Sequence, residues 1–147
     1  SIAFSIRVYR GLYTTVENKL FLPVFNLLAL DEDRRLKLAD DELVAYVDDE
    51  GRVILDVFSG TNLKRVIAPP YTVRENMELR LLITLAANGT TVITRNGKVV
   101  MTDNAHSLRP VPREKLYFGK FASSAMGKEF YGYMRHVMVW DRVVSWA

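Results

Sequence analysis

The sequence predicts an all-β domain, and three features carry that prediction. The opening stretch SIAFSIRVYR alternates without fault, with Ile2, Phe4, Ile6 and Val8 on one face and Ala3, Ser5, Arg7 and Tyr9 on the other. That is the period of two that a half-buried strand requires. In the second half, Asn88-Gly89 and Asn96-Gly97 interrupt apolar runs. Asn-Gly is the strongest short hairpin signal, because both residues tolerate positive φ. Helix signals are sparse: residues 31–36 and 40–42 offer at most a turn each. Roughly ten to twelve short strands punctuated by turns describe one antiparallel β-sandwich or barrel.

Each element follows in order. Residues 20–30 are almost continuously apolar, with Pro23 inside. Proline cannot donate to a ladder, so Pro23 predicts an edge position or a break. Residues 43–47 and 52–58 read as strands joined by the hairpin connection Asp48-Asp49-Glu50-Gly51. In residues 77–86, Met77, Leu79, Leu81, Ile83 and Leu85 share one parity and face the core. The other parity begins with Glu78 and Arg80 and ends with Leu82, Thr84 and Ala86. Its far end is therefore expected to be covered on both sides. The two Asn-Gly turns then fold residues 79–101 into a three-stranded meander. Residues 102–115, with Pro110 and Pro112, read as a loop, residues 116–121 as a short strand, and residues 123–128 as another loop.

The segment FYGYMRHVMVWDRVVS changes phase. Phe130, Gly132 and Met134 share one parity, Val137 and Val139 the other. Arg135 and His136 stand where a single residue would keep the alternation. A β-bulge inserts one residue, bends the strand and flips its facing pattern. Gly132, without a side chain, permits close backbone approach. The segment is thus one bent strand, with Phe130 and Met134 facing the core before the bulge and Val137 and Val139 after it.

Composition limits the alternatives. The 147 residues are 49% hydrophobic and 25% charged, ordinary for one globular domain. No apolar run is long enough for a transmembrane helix. The first residues alternate, unlike the continuous apolar stretch of a signal peptide. The chain starts without Met and already inside a strand pattern, so it reads as a processed protein or a domain cut from a longer one. There is no cysteine, which excludes disulfides, thiolate metal sites and cysteine nucleophiles. Twenty basic and 17 acidic residues give a net charge of +3. The basic residues are scattered, as in Lys64-Arg65 and Arg34-Arg35. A solvated mixed surface is favoured over a polyanion-binding face, and neither a nucleic-acid partner nor a membrane span is expected.

Three segments in order resemble a known family. LRLLITLAANGTTVITRNGKVVMT (residues 79–102) is similar to the strand-turn-strand unit of concanavalin A-like, laminin G-like domains. LYFGKF (residues 116–121) looks like that family's L-Y-I-G strand. The closing segment resembles its final signature, F-x-G-x-I followed by V-x-I-aromatic and R-x-L-S. Phe130, Gly132, Met134, Val137, Val139, Trp140, Arg142, Val144 and Ser145 stand in those places. SIAFSIRVY is similar to the family's early F-T-I-S-F-W-V strand. The resemblance implies a two-sheet concanavalin A-like jelly roll over residues 1–147. Met134 and Val144 depart mildly from the usual Ile and Leu. Such domains usually have a further strand before the opening one, which would here be missing before Ser1 or supplied from elsewhere.

The chemistry points away from catalysis. Glycosidases on this fold carry an E-x-D-x-E type pattern within a strand, and none is present. Asp31-Glu32-Asp33 and Asp48-Asp49-Glu50 are consecutive acids beside turns, read as solvated. His106 and His136 lack a nucleophile elbow nearby. The family resemblance raises calcium, for which Asp103 and Asn104, with Asp31 or Asp33, are the candidate loop ligands. Tyr117, Tyr131 and Tyr133 oppose core-facing neighbours in parity and are expected to form an exposed row for sugar stacking, with Arg135 beside them to pair with an acidic sugar. The alternative is that these tyrosines simply cover a half-buried sheet. Trp140 resembles the family's core aromatic and is expected to be buried. Asn88-Gly89-Thr90 fits a glycosylation sequon but reads better as a turn.

The expected function is a non-catalytic module binding carbohydrate or a cell-surface ligand, within an adhesin, a viral or phage surface protein, or a multidomain protein. Its setting would be extracellular or a particle surface, although the lack of cysteine leaves the cytosol open. The alternative is an assembly domain whose protein partner, a second copy or a neighbouring domain, docks on a sheet edge left open before Ser1. A glycoside hydrolase is the least favoured reading.

Overall fold

The computed structural model describes residues 1–8, 22–28, 31–35, 38, 40–105, 107, 113, 115–118, 132–140 and 143. Ten strands follow in chain order: β1 (Ile2–Val8), β2 (Leu22–Leu28), β3 (Leu43–Val47), β4 (Val53–Ser59), β5 (Asn62–Ile67), β6 (Leu79–Leu85), β7 (Thr90–Arg95), β8 (Lys98–Asn104), β9 (Lys115–Phe118) and β10 (Gly132–Val139). They form two antiparallel five-stranded sheets, ordered β10-β1-β6-β7-β8 and β5-β4-β3-β2-β9. The architecture is the two-sheet β-sandwich expected from the sequence.

The core lies between the sheets. Phe4, Ile6, Leu81 and Ile93 of the first sheet meet Phe25, Ala45, Val47, Leu55 and Val57 of the second. Full burial of one such large side chain is worth about 1.5–3 kcal/mol. The far end of β6 is covered on both sides as predicted, with Leu82 and Thr84 buried on the face opposite Leu81 and Ile83. Met77 lies outside the strand and is exposed.

The turns follow local chemistry. At the β7–β8 hairpin, Asn96 and Gly97 both have positive φ, 50° and 82°. At the β3–β4 hairpin, Asp48 is buried, and its Oδ1 accepts the amides of Glu50 and Arg52, both at 2.9 Å. This corrects the reading of Asp48 as a solvated acid: the carboxylate replaces water for amides the turn leaves unpaired. Residues 31–35 form a turn rather than a helix, closed by the Arg35 amide on Asp31 Oδ1 at 2.8 Å. Asp41 and Glu42 are buried beside β3 and make no helical turn, with Asp41 at φ 52°.

The phase change in the last segment is a bulge. Ala3 pairs with Met138 and Ser5 with Arg135, so His136 and Val137 together face Phe4. His136 takes up the extra residue at φ 53°. Gly132 sits against the backbone of β1, where a Cβ would collide with the Arg7 carbonyl. Val137 and Val139 return to the core-facing parity but remain 39% and 54% exposed, because β10 is an edge strand. In β2 a second register shift falls between Pro23 and Phe25. Pro23 thus marks a break, and β9 pairs with β2 only from Phe25 onward.

Two expectations are corrected by the topology. β1 is an interior strand, bonded to β10 on one side and β6 on the other. No sheet edge is therefore left open at β1 for a partner strand. β5 falls in a stretch read only as scattered charge, and it forms the edge of the second sheet.

Candidate functional site

The sequence-predicted site residues are not brought together. Tyr131 and His106 lie outside the described residues. Tyr117 opposes Asn26 on the outer face of the second sheet. Tyr133 opposes Arg7 on the outer face of the first. Tyr117 and Tyr133 therefore look away from each other across the sandwich and cannot share one stacking row. Period-two parity tells which face of its own strand a side chain occupies, but not which sheet the strand joins.

Tyr133 and Arg135 do form a unit. The Arg135 guanidinium lies 5.3 Å from the Tyr133 ring centroid. Its Nε and Nη2 donate to Glu78 Oε1 and Oε2 at 2.6 and 2.7 Å. These hydrogen bonds hold the Glu78 carboxyl below its ordinary value and raise Arg135. Both side chains are open to solvent, at 54% and 34% exposure.

Asp103 and Asn104 end strand β8 rather than lying in a loop. The Asn104 amide donates to Asp103 Oδ1 at 2.8 Å. Among the described residues no group of three or more histidine, aspartate or glutamate side chains is placed to hold a metal ion.

A second cluster, absent from the sequence reading, lies on the outer face of the second sheet. Successive pairings align Tyr117, Asn26, Val44, Asp56 and Arg65 in one row across five strands. Asp56 is 3% exposed. Its Oδ1 accepts from Arg65 Nε at 2.7 Å, and its Oδ2 accepts from Arg65 Nη2 at 3.1 Å and the Tyr46 hydroxyl at 3.0 Å. Burial, then the Asp56 charge, push the Tyr46 hydroxyl well above its ordinary range, so it stays a donor. Val44, Tyr46 and Ile54 form a buried patch around the pair. Arg65 itself is half exposed, and its Nη1 makes no hydrogen bond with the described residues. Leu63 and Ile67, on the same face of β5, flank it at 44% and 42% exposure.

The arrangement is a fixed cation between two apolar side chains. A carboxylate buried in the sheet fixes the planar guanidinium through two parallel bonds. The guanidinium keeps further N–H groups on a side chain that is half exposed. The sequence signal for it was the alternation Leu63, Arg65, Ile67, which charged Lys64 interrupts. The other buried carboxylates serve the fold: Glu42 accepts from Asn26 Nδ2 at 2.7 Å and Asp41 from the Gly60 amide at 2.7 Å.

No protein-family model matches the chain. No curated protein matches it in sequence. Solved structures do match in fold. The CBM40 module of the Ruminococcus gnavus IT-sialidase, bound to alpha2,3 sialyllactose, is 13% identical with a TM-score of 0.64, over 92% of this chain and 71% of that one. The same module without the sugar gives 16% identity and a TM-score of 0.64, over 92% and 73%. Bound to alpha2,6 sialyllactose it gives 14% and 0.62, over 89% and 70%. At these identities the likeness is one of fold, the jelly-roll β-sandwich that the family resemblance in the sequence implied.

Proposed function

We propose that this chain is a non-catalytic carbohydrate-binding module that takes an acidic sugar on the β5 side of the second sheet. The observation that carries the reading is Arg65, held by the buried Asp56 and half exposed between Leu63 and Ile67. A sugar carboxylate would pair with Nη1, and the C–H face of the ring would rest on the two apolar side chains. Preorganisation spares the entropy that a flexible arginine would lose on binding. The sialyllactose-binding modules of similar fold support the ligand class. The commitment of Asp41, Glu42, Asp48 and Asp56 to hydrogen bonds within the fold supports a binding role over a hydrolytic one. Such a module belongs in a secreted or surface protein.

A second reading has its own observation, the Tyr133–Arg135 pair on the opposite face. One experiment separates the two. The chain is screened on an array of sialylated, uronic-acid and neutral glycans, with calcium and with chelator, alongside Arg65→Ala and Arg135→Ala. Binding of acidic glycans, lost in Arg65→Ala and kept in Arg135→Ala, is the expected result. The reverse pattern moves the site to the first sheet, and loss with chelator brings in calcium. A clean array in both buffers sinks the carbohydrate reading and leaves the assembly domain.

A further inference from the structure

Beyond β5 the chain runs over the β3–β4 turn towards β1, where Glu75 bridges to Val8. Pro69 and Pro70 restrict the approach, and Tyr71 follows at φ 63°. A bulky residue seldom adopts that left-handed conformation unless its surroundings hold it there. Here the backbone does so. The Tyr71 amide donates to the Glu50 carbonyl at 2.8 Å, and the Val73 amide to the Gly51 carbonyl at 2.9 Å. Thr72 Oγ1 donates to the Pro69 carbonyl at 2.7 Å, and Thr72 and Val73 are buried.

The Tyr71 carbonyl is therefore a fixed point, and two arginines converge on it. Arg95, at the end of β7, donates to it from Nη1 at 3.2 Å and to the Thr72 carbonyl at 3.4 Å. Arg74 donates to the same Tyr71 oxygen from Nε at 3.4 Å. Two guanidinium groups thus stand side by side. Neither makes an ion pair among the described residues, unlike Arg52, Arg65 and Arg135. Of the acids beside them in the loop and the turn, Glu50 is taken by Arg52 at 2.6 Å, and Glu75 pairs with neither arginine. We propose that Arg74 and Arg95 form a binding site for a tetrahedral oxyanion, the sulfate or phosphate group of an ester.

Adjacent like charges repel, and an anion between them is attracted by both. Arg95 Nε and Nη2 donate to no described residue, and neither is shut away from solvent. Arg74 keeps Nη1 and Nη2 on an exposed side chain. A carboxylate offers two oxygens in one plane, which suits a single guanidinium. A sulfate or phosphate ester offers three oxygens in different directions, which suits two guanidinium groups arriving from different elements. Anchorage on one carbonyl also limits the side-chain freedom lost on binding. Arg65 is tied to Asp56 within β5, so binding at Arg74 and Arg95 is independent of any sugar on the outer face.

The test titrates the whole chain with inorganic phosphate, phenyl phosphate and phenyl sulfate, at constant ionic strength balanced with chloride, and follows the backbone amides by NMR. Saturable shifts at residues 71–75 and 95–96 are expected, and none with phenol, the uncharged control. The tighter of the two esters tells phosphate from sulfate. Arg74→Gln and Arg95→Gln should each weaken binding at least about tenfold. Arg74 is exposed, so Arg74→Gln keeps the test decisive should Arg95→Gln not fold. No saturable shift with any of the three anions overturns the inference. So does unchanged affinity in a folded Arg74→Gln chain. Shifts confined to residues 63–67 overturn it too, and place the anion at Arg65 instead.

Discussion

Among the described residues an arginine, a carboxylate and a tyrosine meet on each outer face. On the second sheet, Asp56 is buried and makes three hydrogen bonds, two to Arg65 and one to Tyr46. On the first sheet, Glu78 and Arg135 pair through two short bonds, with Tyr133 beneath, but all within reach of water. The parts are alike and the environments opposite. A buried carboxylate depends on its partners, because removing one strands a desolvated charge. An exposed pair is screened, and its attraction is largely repaid by water. The first arrangement is held by burial; the second is an ion pair open to solvent.

The contrast can be broken from either side. The largest effect is expected at Gly132, where the strand carrying Tyr133 and Arg135 runs against β1. Gly132→Ala drives a methyl into the Arg7 carbonyl and should destabilise the fold by about 2–4 kcal/mol in denaturant titration. A variant within error of wild type would show that β10 can shift freely. Asp56→Ala comes next, at about 2–3 kcal/mol, tempered by the half exposure of Arg65. It should also release Arg65 and abolish acidic-glycan binding. A neutral result would mean the second-sheet trio is no more structural than its counterpart.

Tyr46→Phe removes the hydroxyl's hydrogen bond to Asp56 Oδ2, for a loss of about 1 kcal/mol. The smallest effect belongs to Glu78→Gln. The hydrogen bonds from Arg135 lower the Glu78 pKa from an unfolded value of 4.5. A depressed folded pKa contributes stability above pH 4.5 and loses it as pH falls through the lowered value. Glu78→Gln should therefore match the wild type once pH has fallen well below the lowered Glu78 value, fall slightly short of it at neutral pH, and converge with it in high salt. A difference that persists in acid would place the role of Glu78 outside the ion pair.

Much of this protein was legible from neighbouring residues alone. The period of two fixed β1, the Asn-Gly pairs fixed the meander, and the doubled step at Arg135-His136 marked the bulge. These are local effects: side-chain alternation, tolerance of positive φ, and one residue too many in a ladder. The candidate site was not legible in the same way. Lys64 stands at a core-facing position of β5 yet remains exposed, since β5 is an edge strand, and that hid the alternation around Arg65. Asp48 and Asp56 look alike in sequence, but Asp48 closes a turn and pairs with Arg52 four residues on, while Asp56 holds Arg65 of the neighbouring strand.

The sequence by itself determined which residues extend, where the chain turns, and which side of each strand is apolar, because those properties depend on steric and hydrophobic periodicities within a few residues. Only the tertiary structure decided which strands share a sheet. That assignment sends Tyr117 and Tyr133 to opposite faces and gathers Tyr46, Asp56 and Arg65 into one network. Sheet membership is set by pairing between residues far apart in the chain, where burial of the whole core, rather than local pattern, selects the partner.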